Sequence, residues 1–252
     1  MIVGEKTWQF EQYLIHEYSE IESTNSLAFN LAENKRIFNN EIVLARKQNN
    51  GRGRRNRQWQ SPIGNLYFSI VLQPKVVLEK LPQLSLVAVV ALNLAIKKVF
   101  LQKKISAQIL NKWPNDLIIS QKKISGILLE SKINNKNCDF VILGIGVNII
   151  SSPDNTMFKA GCLFDFDCQI ESKELLKIFL KEFSNLYQIW QNFGFKNIKS
   201  IWLESAYLLN QEITLNVDQS LIKGVFQGLD DDGNLLIIDN QELRKISFAE
   251  IL

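Results

Sequence analysis

The order of the predicted strands and helices is the feature that most constrains the fold of this chain. Apolar runs rich in β-branched and aromatic residues predict strands at residues 42–45, 65–72, 118–119, 127–129 and 139–150. Helical spacing, or the length of an apolar run, predicts helices after Ser23, over residues 84–100 and after Ser172. Because these strands do not alternate regularly with helices, the pattern argues against a regular parallel sheet. We therefore expect an α/β (α+β) domain with helices and a mixed, largely antiparallel sheet.

The hydrophobic pattern changes near Leu209, which predicts a second domain. Over residues 213–217 apolar and polar residues alternate, as they do in a half-buried strand. Residues 231–234 (DDGN) are a turn signal, and the apolar run 235–238 follows as another strand. Such a succession of short strands predicts a small β-barrel. We divide the chain into a larger domain of residues 1–208 and a C-terminal domain of residues 209–252.

Composition excludes several classes of protein. The 252 residues are 46% hydrophobic and 22% charged, which is enough to bury a sizeable core. Cys138, Cys162 and Cys168 form no C-x-x-C pair and the one histidine is His16, so a zinc site and a disulfide framework are both disfavoured. The N-terminus lacks a secretory signal, and the apolar run Leu84–Ile96 is too short to span a bilayer. We expect a cytoplasmic protein that does not bind membranes.

One segment of the chain is strongly basic. The net charge is +3, yet seven bases and no acid lie between Ile42 and Leu78. Within that stretch, residues 48–59 (QNNGRGRRNRQW), here called the arginine loop, combine two glycines with four arginines. Glycines let the backbone approach a ligand closely, and guanidinium groups suit phosphate or carboxylate. The loop alone is compatible with a solvated surface segment, a contact to a nucleic-acid backbone, or a site for a small phosphorylated ligand.

Two further clusters contain polar residues between apolar strands. Lys112-Trp113-Pro114-Asn115-Asp116 and Lys123 bring ammonium, amide and carboxylate groups to strand ends, which suits a nucleotide-and-metal site, although a structural turn with a packed tryptophan explains the same residues. Gly144-x-Gly146-x-Asn148 lacks the third glycine of a dinucleotide-binding motif, and no G-x-x-x-x-G-K-[ST] sequence occurs. Glycines in a strand indicate the close approach of a ligand or another backbone. We expect His16 to be structural.

Taken together, these segments resemble the biotin–protein ligase family. The resemblance rests on the arginine loop, on K-W-P-N-D at residues 112–116, on Lys123-x-x-Gly126, on Gly144-x-Gly146-x-Asn148 and on an opening Ser-Thr-Asn at residues 23–25. These motifs occur in the family's order and cover nearly the whole chain. The tail from Gln211 looks like the family's small SH3-like domain. The joint occurrence of the arginine loop and K-W-P-N-D makes the resemblance specific.

The resemblance implies an enzyme that forms biotinyl-5′-AMP from biotin and Mg-ATP and then transfers biotin to a lysine of a biotin carboxyl carrier protein. It implies catalytic roles for Lys123, Arg54 and Asp116. The residues implied to bind biotin are Ser23, Thr24, Asn25, Gln48, Arg52, Gly53, Arg54 and Lys123. The residues implied to bind ATP or the adenylate are Arg52, Arg54, Arg55, Trp59, Lys112, Asn115 and Asn148. No protein ligand is implied for Mg²⁺, which would arrive on the ATP phosphates, near Asn115.

The sequence departs from the family pattern at a few positions. Asn50 and Asn56 stand where a small residue or glycine is usual, which bears on how the arginine loop closes. Ala249-Glu250 stands where Gly-Glu is common. Since 22 residues precede Ser23, whereas the family's bifunctional members carry a DNA-binding winged helix there, we expect the monofunctional form and no specific DNA binding. A homodimer is compatible with the resemblance.

Two alternative functions remain open at the level of sequence. The first is a lipoate–protein ligase or lipoyl transferase, but those families carry Arg-Arg-x-Ser-Gly-Gly-Gly with a downstream histidine, and His16 lies upstream of every motif. The second is a nucleic-acid-binding protein that uses the arginine loop. The eight acids and three bases between Gln211 and Leu252 disfavour this second alternative.

Overall fold

The computed structural model describes residues 6–135, 137–154, 156, 158–217 and 220–251. The outer limits of the two predicted domains, residues 1 and 252, lie outside this part of the chain. The strands are β1 Lys6–Phe10, β2 Tyr13–Tyr18, β3 Glu41–Ala45, β4 Leu66–Leu72, β5 Ile109–Lys112, β6 Asp116–Ile119, β7 Lys122–Asn134, β8 Asn137–Val147, β9 Glu212–Val217, β10 Ser220–Leu229, β11 Leu235–Asp239, β12 Glu242–Ile246 and β13 Glu250–Ile251. The α-helices are α1 Thr24–Glu33, α2 Gln83–Lys103, α3 Ser172–Phe193 and α4 Lys196–Glu204.

The first eight strands form one mixed sheet in the order β1-β2-β3-β4-β8-β7-β6-β5. β2 and β3 pair in parallel, and every other neighbouring pair of this sheet is antiparallel. A parallel pair needs a crossover connection, and α1 supplies it between β2 and β3. The predicted mixed, largely antiparallel sheet is therefore confirmed.

Helices cover both faces of this sheet. α1 packs on one face against β3, β4 and β8, with Ala28 and Leu31 buried there. α2 and α3 pack against each other and cover the opposite face, where Phe68 of β4 meets Phe179 of α3 edge to face at 5.3 Å. Burial on all sides explains why α2 lacks a polar face.

The length argument against a membrane span was wrong for α2. The helix runs over 21 residues, so the segment Leu78–Lys103 is long and apolar enough to cross a bilayer. The sequence prediction used the shorter run Leu84–Ile96 and did not count the flanking turns. What accounts for the apolar composition is the packing of α2, because most of its residues are buried between the sheet and α3.

The last five strands form a second, antiparallel sheet in the order β12-β11-β10-β9-β13. The turn predicted at residues 231–234 precedes β11, as expected. The apolar face of this sheet continues the main core, since Phe226 of β10 lies edge-on to Trp202 of α4 with ring centroids 6.4 Å apart. The expected fold class, an α/β domain followed by a small SH3-like β domain, is confirmed.

Candidate active site

All the residues that sequence analysis assigned to the site line one cavity of ≈ 620 Å³. The cavity lies between the N-terminus of α1, the arginine loop and the paired strands β6, β7 and β8. The predicted residues in its wall are Ser23, Thr24, Asn25, Gln48, Arg52, Gly53, Arg54, Arg55, Trp59, Lys112, Asn115, Asp116, Lys123 and Asn148. The fold thus brings together motifs that are separated by more than one hundred residues in the sequence.

The N-terminus of α1 supplies one wall of the cavity. Ser23 is the N-cap, and its hydroxyl accepts a hydrogen bond from the Ser26 N–H. The buried Ser69 Oγ lies 2.8 Å from Thr24 Oγ1 and 2.6 Å from Asn25 Oδ1. Because a hydroxyl has one proton and an amide oxygen only accepts, Ser69 donates to Asn25 and accepts from Thr24. This pairing holds both side chains in one orientation.

Gly144 of β8 leaves the space that Asn25 occupies. A Cβ atom on Gly144 would lie 1.8 Å from Asn25 Oδ1, so no other residue fits opposite this amide. Next to it, Gln48 accepts a hydrogen bond from the Thr24 N–H at 2.7 Å and donates to Ser61 at 2.8 Å. The polar groups on this wall are thus held by the protein itself.

Acidic residues from distant parts of the chain pair with the arginine loop. Glu130 of β7 binds the Arg52 guanidinium, and it also accepts from Asn25 Nδ2 at 2.9 Å. Glu250 of β13 accepts from Arg57 through both carboxylate oxygens. Burial raises the pKa of the Glu250 carboxyl, but the Arg57 guanidinium outweighs this and holds that pKa below its usual value. The loop thus has acidic partners within the protein, which sequence proximity does not reveal.

The arginine loop also has defined backbone geometry. Its Gly53 N–H donates to the Arg57 carbonyl at 2.7 Å, and Arg55 and Asn56 adopt positive φ angles of 54° and 58°. Asparagine tolerates this left-handed region better than most residues, which explains how Asn56 replaces the usual glycine. Arg54 donates to Asn115 Oδ1 at 3.1 Å, and Phe248 lies against the Arg54 and Arg55 guanidinium groups, 5.1 and 5.2 Å from its ring centroid.

Trp59 packs closely against two glycines of neighbouring strands. A Cβ atom on Gly146 would lie 2.5 Å from the Trp59 Nε1, and one on Gly126 would lie 3.0 Å from Cζ3 of the same indole. These glycines therefore serve a close approach, as their position in buried strands suggested. The Trp59 N–H is buried without a hydrogen-bond partner among the described residues.

Two lysines give the cavity its positive interior. The Lys123 ammonium lies 2.8 Å from Asp116 Oδ1, without hydrogen-bond geometry, and 5.6 Å from the Trp59 ring. Lys112 is only 4% exposed, and its ammonium lies 3.6 Å from the centroid of the Phe158 ring. Burial lowers the pKa of Lys112 to about 8, against partial compensation by Asp116 and further lowering by Lys123.

The two asparagines expected near the phosphates are already engaged within the protein. Asn115 Nδ2 donates to the Ile127 carbonyl at 2.6 Å, while its oxygen accepts from Arg54. The buried Asn148 donates from Nδ2 to the Gly161 carbonyl at 3.0 Å. Within the part of the chain that the structure describes, no group of three or more His, Cys, Asp or Glu side chains is placed to hold a metal ion.

Sequence reasoning missed several residues that contact the predicted site residues. The main ones are Ser69, Glu130, Phe158, Phe248 and Glu250. Ser69 had a detectable signal, because a serine inside a strand of otherwise apolar residues demands a polar partner. Glu130, Phe158 and Phe248 lie far from the motifs that they contact, and no local pattern marks them. Glu250 stands at the family's Gly-Glu position, but nothing in the sequence pairs it with Arg57.

Comparison with known proteins agrees with this fold and site. Residues 18–148 match the Biotin/lipoate A/B protein ligase family, and residues 208–252 match the Biotin protein ligase C terminal domain. A Biotin--[acetyl-CoA-carboxylase] ligase of Paracoccus denitrificans is 33% identical over 91% of this chain and 96% of its own length. The Bifunctional ligase/repressor BirA of Bacillus subtilis is 32% identical over 98% of this chain and 76% of its own.

A solved structure gives the same result. The biotin protein ligase of Aquifex aeolicus in complex with biotin and ATP matches with a TM-score of 0.81 and 29% identity, over 94% of this chain and 97% of that one. The fold and the cavity thus define a cofactor–protein ligase, and the chain belongs to the Biotin/lipoate A/B protein ligase family. The prediction of a biotin–protein ligase is confirmed.

Proposed function

We propose that the residues of this cavity activate biotin with ATP to biotinyl-5′-AMP and pass the biotinyl group to a lysine of a biotin carboxyl carrier protein. The observation that carries this proposal is the meeting of Lys112, Lys123 and the arginine loop with the hydrogen-bonded wall of α1 in one cavity. The wall offers fixed polar partners for an uncharged ring. The cations suit a carboxylate and phosphates.

Adenylation brings a biotin carboxylate oxygen against the α-phosphorus of ATP, so two anions must approach each other. In this proposal Lys123 and Arg54 offset that repulsion, while Lys112 holds the departing phosphates. The attack forms the carboxyl–phosphate bond as pyrophosphate leaves. No enzyme nucleophile is needed, because much of the acceleration comes from positioning the two substrates, for which effective molarities reach about 10⁵ M.

Magnesium supplies additional positive charge to the phosphates when it is bound. Asn115, the residue expected nearest the ion, has both ends of its amide engaged by Arg54 and Ile127. We therefore assign no protein ligand among the described residues, and we propose that Mg²⁺ is held by ATP oxygens and water, as is usual for nucleotide sites.

In the second step the carrier lysine attacks the biotinyl carbonyl, the bond to AMP breaks and AMP leaves. The amine must lose a proton, and Asp116 is the nearest carboxylate to Lys123 in this wall. We propose that Asp116 orients or deprotonates the incoming amine. The arginine loop covers the mixed anhydride and keeps water away from it.

The test is incubation of the protein with ATP, Mg²⁺, biotin and a carrier domain. The expected result is a mass increase of one biotinyl group on one carrier lysine, with AMP and pyrophosphate as products. Lipoate in place of biotin serves as the control. Modification of the carrier by lipoate and not by biotin would refute the proposal in favour of the lipoate alternative.

We further propose that any DNA binding by this chain is weak, non-specific and steeply salt-dependent. The bases available for phosphate contact lie in the arginine loop, where Arg52 and Arg57 are paired with acids and the adenylate would compete. A gel shift at two salt concentrations, with and without biotin plus ATP, tests this. A footprint on a defined operator that strengthens with biotin and ATP would contradict it.

A further inference from the structure

We infer that Phe158 is a positioning residue for ATP, because its ring holds the Lys112 ammonium in place at the phosphate side of the cavity. The inference rests on the proposed function, in which Lys112 contacts the ATP phosphates. Phe158 lies in the segment between β8 and α3, outside every sequence motif that pointed to the site.

The contact between the two side chains is close and largely shielded from water. The Lys112 ammonium lies 3.6 Å from the centroid of the Phe158 ring, and Lys112 itself is buried at the end of β5. An ammonium over the face of an aromatic ring is attracted by the ring quadrupole, and the attraction grows when both groups are desolvated. The ring thus offers the buried ammonium a favourable partner without neutralising its charge.

The backbone next to Phe158 is fixed to the other catalytic lysine. The Lys123 N–H donates to the Lys159 carbonyl at 2.8 Å, and the Gly161 N–H donates to the Lys123 carbonyl at 3.0 Å. The buried Asn148 adds a third contact, through its hydrogen bond to the Gly161 carbonyl. Residues 158–161 therefore connect both lysines, one through an aromatic ring and the other through the backbone.

The Phe158 ring is also in contact with Tyr207. Tyr207 meets Phe158 edge to face, with ring centroids 6.2 Å apart. The Tyr207 N–H donates to the carbonyl of Asn111, the residue before Lys112, at 2.9 Å. Phe158 thus contacts both the Lys112 ammonium and Tyr207, which is hydrogen-bonded to β5, the strand that carries Lys112. These contacts restrict where the ammonium can lie.

The remaining charges around Lys112 do not fix its position by themselves. Asp116 and Glu250 attract the ammonium, whereas Lys123 and Arg57 repel it. The two acids are themselves paired, Asp116 with Lys123 and Glu250 with Arg57. The Phe158 ring also favours the charged ammonium, and among the described residues it is not paired with another cation as the two acids are.

The test compares Phe158→Leu, Phe158→Tyr and the matched control Phe164→Leu in biotin-dependent ATP–pyrophosphate exchange. Leucine keeps an apolar side chain but has no ring face, whereas tyrosine keeps the face. Phe164 is 52% exposed and does not line the cavity. We expect Phe158→Leu to raise KM for ATP about tenfold, in line with a desolvated cation–π contact. KM for biotin should stay near the wild-type value in Phe158→Leu. In Phe158→Tyr and Phe164→Leu, KM for ATP and KM for biotin should both stay near the wild-type values.

Three outcomes would overturn the inference. They are an unchanged KM for ATP in Phe158→Leu, equal increases in both KM values, or a tyrosine variant as impaired as the leucine variant. If the leucine variant does not fold, as judged by its denaturant unfolding, Phe158→Met carries the same expectation. Wild-type protein without exchange activity would instead refute the proposed function, so the two failures are distinguishable.

Discussion

Replacing Lys112 by methionine should stabilise the protein at neutral pH while weakening its use of ATP. Lys112 is 4% exposed, and burial lowers its pKa from 10.5 to about 8. At pH 7 the ammonium is charged in both the folded and the unfolded protein, so the folded state bears the cost of burying a charge. Methionine fills a similar volume without that charge.

The magnitude follows from the size of the shift. The pKa falls from 10.5 to about 8, and a tenfold change in the proton-binding constant corresponds to about 1.4 kcal/mol, so the charged form costs about 3 kcal/mol at pH 7. As pH rises through about 8, the folded protein releases this proton before the unfolded chain does, and stability rises. Between pH 7 and pH 9.5 the gain from Lys112 alone should be about 2 kcal/mol.

The assay is urea unfolding of wild type and Lys112→Met at pH 7 and pH 9.5. The comparison of the two proteins is needed because burial also raises the pKa of the Cys138, Cys162 and Cys168 thiols, which lowers stability in the same pH range. The thiols contribute equally to the stability of wild type and of Lys112→Met, so their contributions cancel in the difference between the two proteins. The variant should be more stable at pH 7, lack the gain at pH 9.5 and lose ATP–pyrophosphate exchange. Equal pH dependence in both proteins would refute the reasoning.

Three other perturbations test separate contacts of the site. Lys123→Ala should remain folded and lower biotin-dependent pyrophosphate release about 10²–10³-fold, because one charge-assisted contact in a dry site is lost; release near the wild-type rate would contradict its role. Gly146→Ala should displace the indole from β8 and change tryptophan fluorescence and KM for ATP more than Gly126→Ala does, since the added Cβ would lie 2.5 Å rather than 3.0 Å from the ring; the reverse order would count against this packing. Glu250→Gln should increase tryptic cleavage in the arginine loop, and biotin plus ATP should suppress that increase, while the exposed control Glu242→Gln should leave cleavage unchanged; equal cleavage in all three proteins would argue against a stabilising role for the Glu250–Arg57 pair.

Local sequence patterns predicted about half of the strands and three of the four α-helices, but not β1, β2, β5, β10, β12, β13 or α4. The alternation over residues 213–217, the turn at 231–234 and the apolar stripe of α3 each predict an element from neighbouring residues alone, and each is present. The cavity-lining motifs were visible as well, but each alone had a structural explanation, and their joint resemblance to the biotin–protein ligase family is what assigned roles to their residues.

The charge pairing of the arginine loop was decided by the tertiary structure. The loop itself contains no acid, and the sequence predicts repulsion among its arginines. Its partners are Glu130, 78 residues from Arg52, and Glu250, 193 residues from Arg57. Sheet order places β7 beside β8, and the second sheet brings β13 to the loop, so these carboxylates arrive through strand pairing that no local pattern encodes.

The environment of Lys112 was likewise decided by the tertiary structure. The sequence by itself determined that a lysine precedes Trp-Pro-Asn-Asp at the end of an apolar strand. Only the folded chain decided that this ammonium would be buried against the Phe158 ring, with a pKa lowered to about 8. Periodicity and turn chemistry depend on residues a few positions apart, whereas burial and electrostatics depend on everything within a few ångströms, including segments that lie far away along the chain.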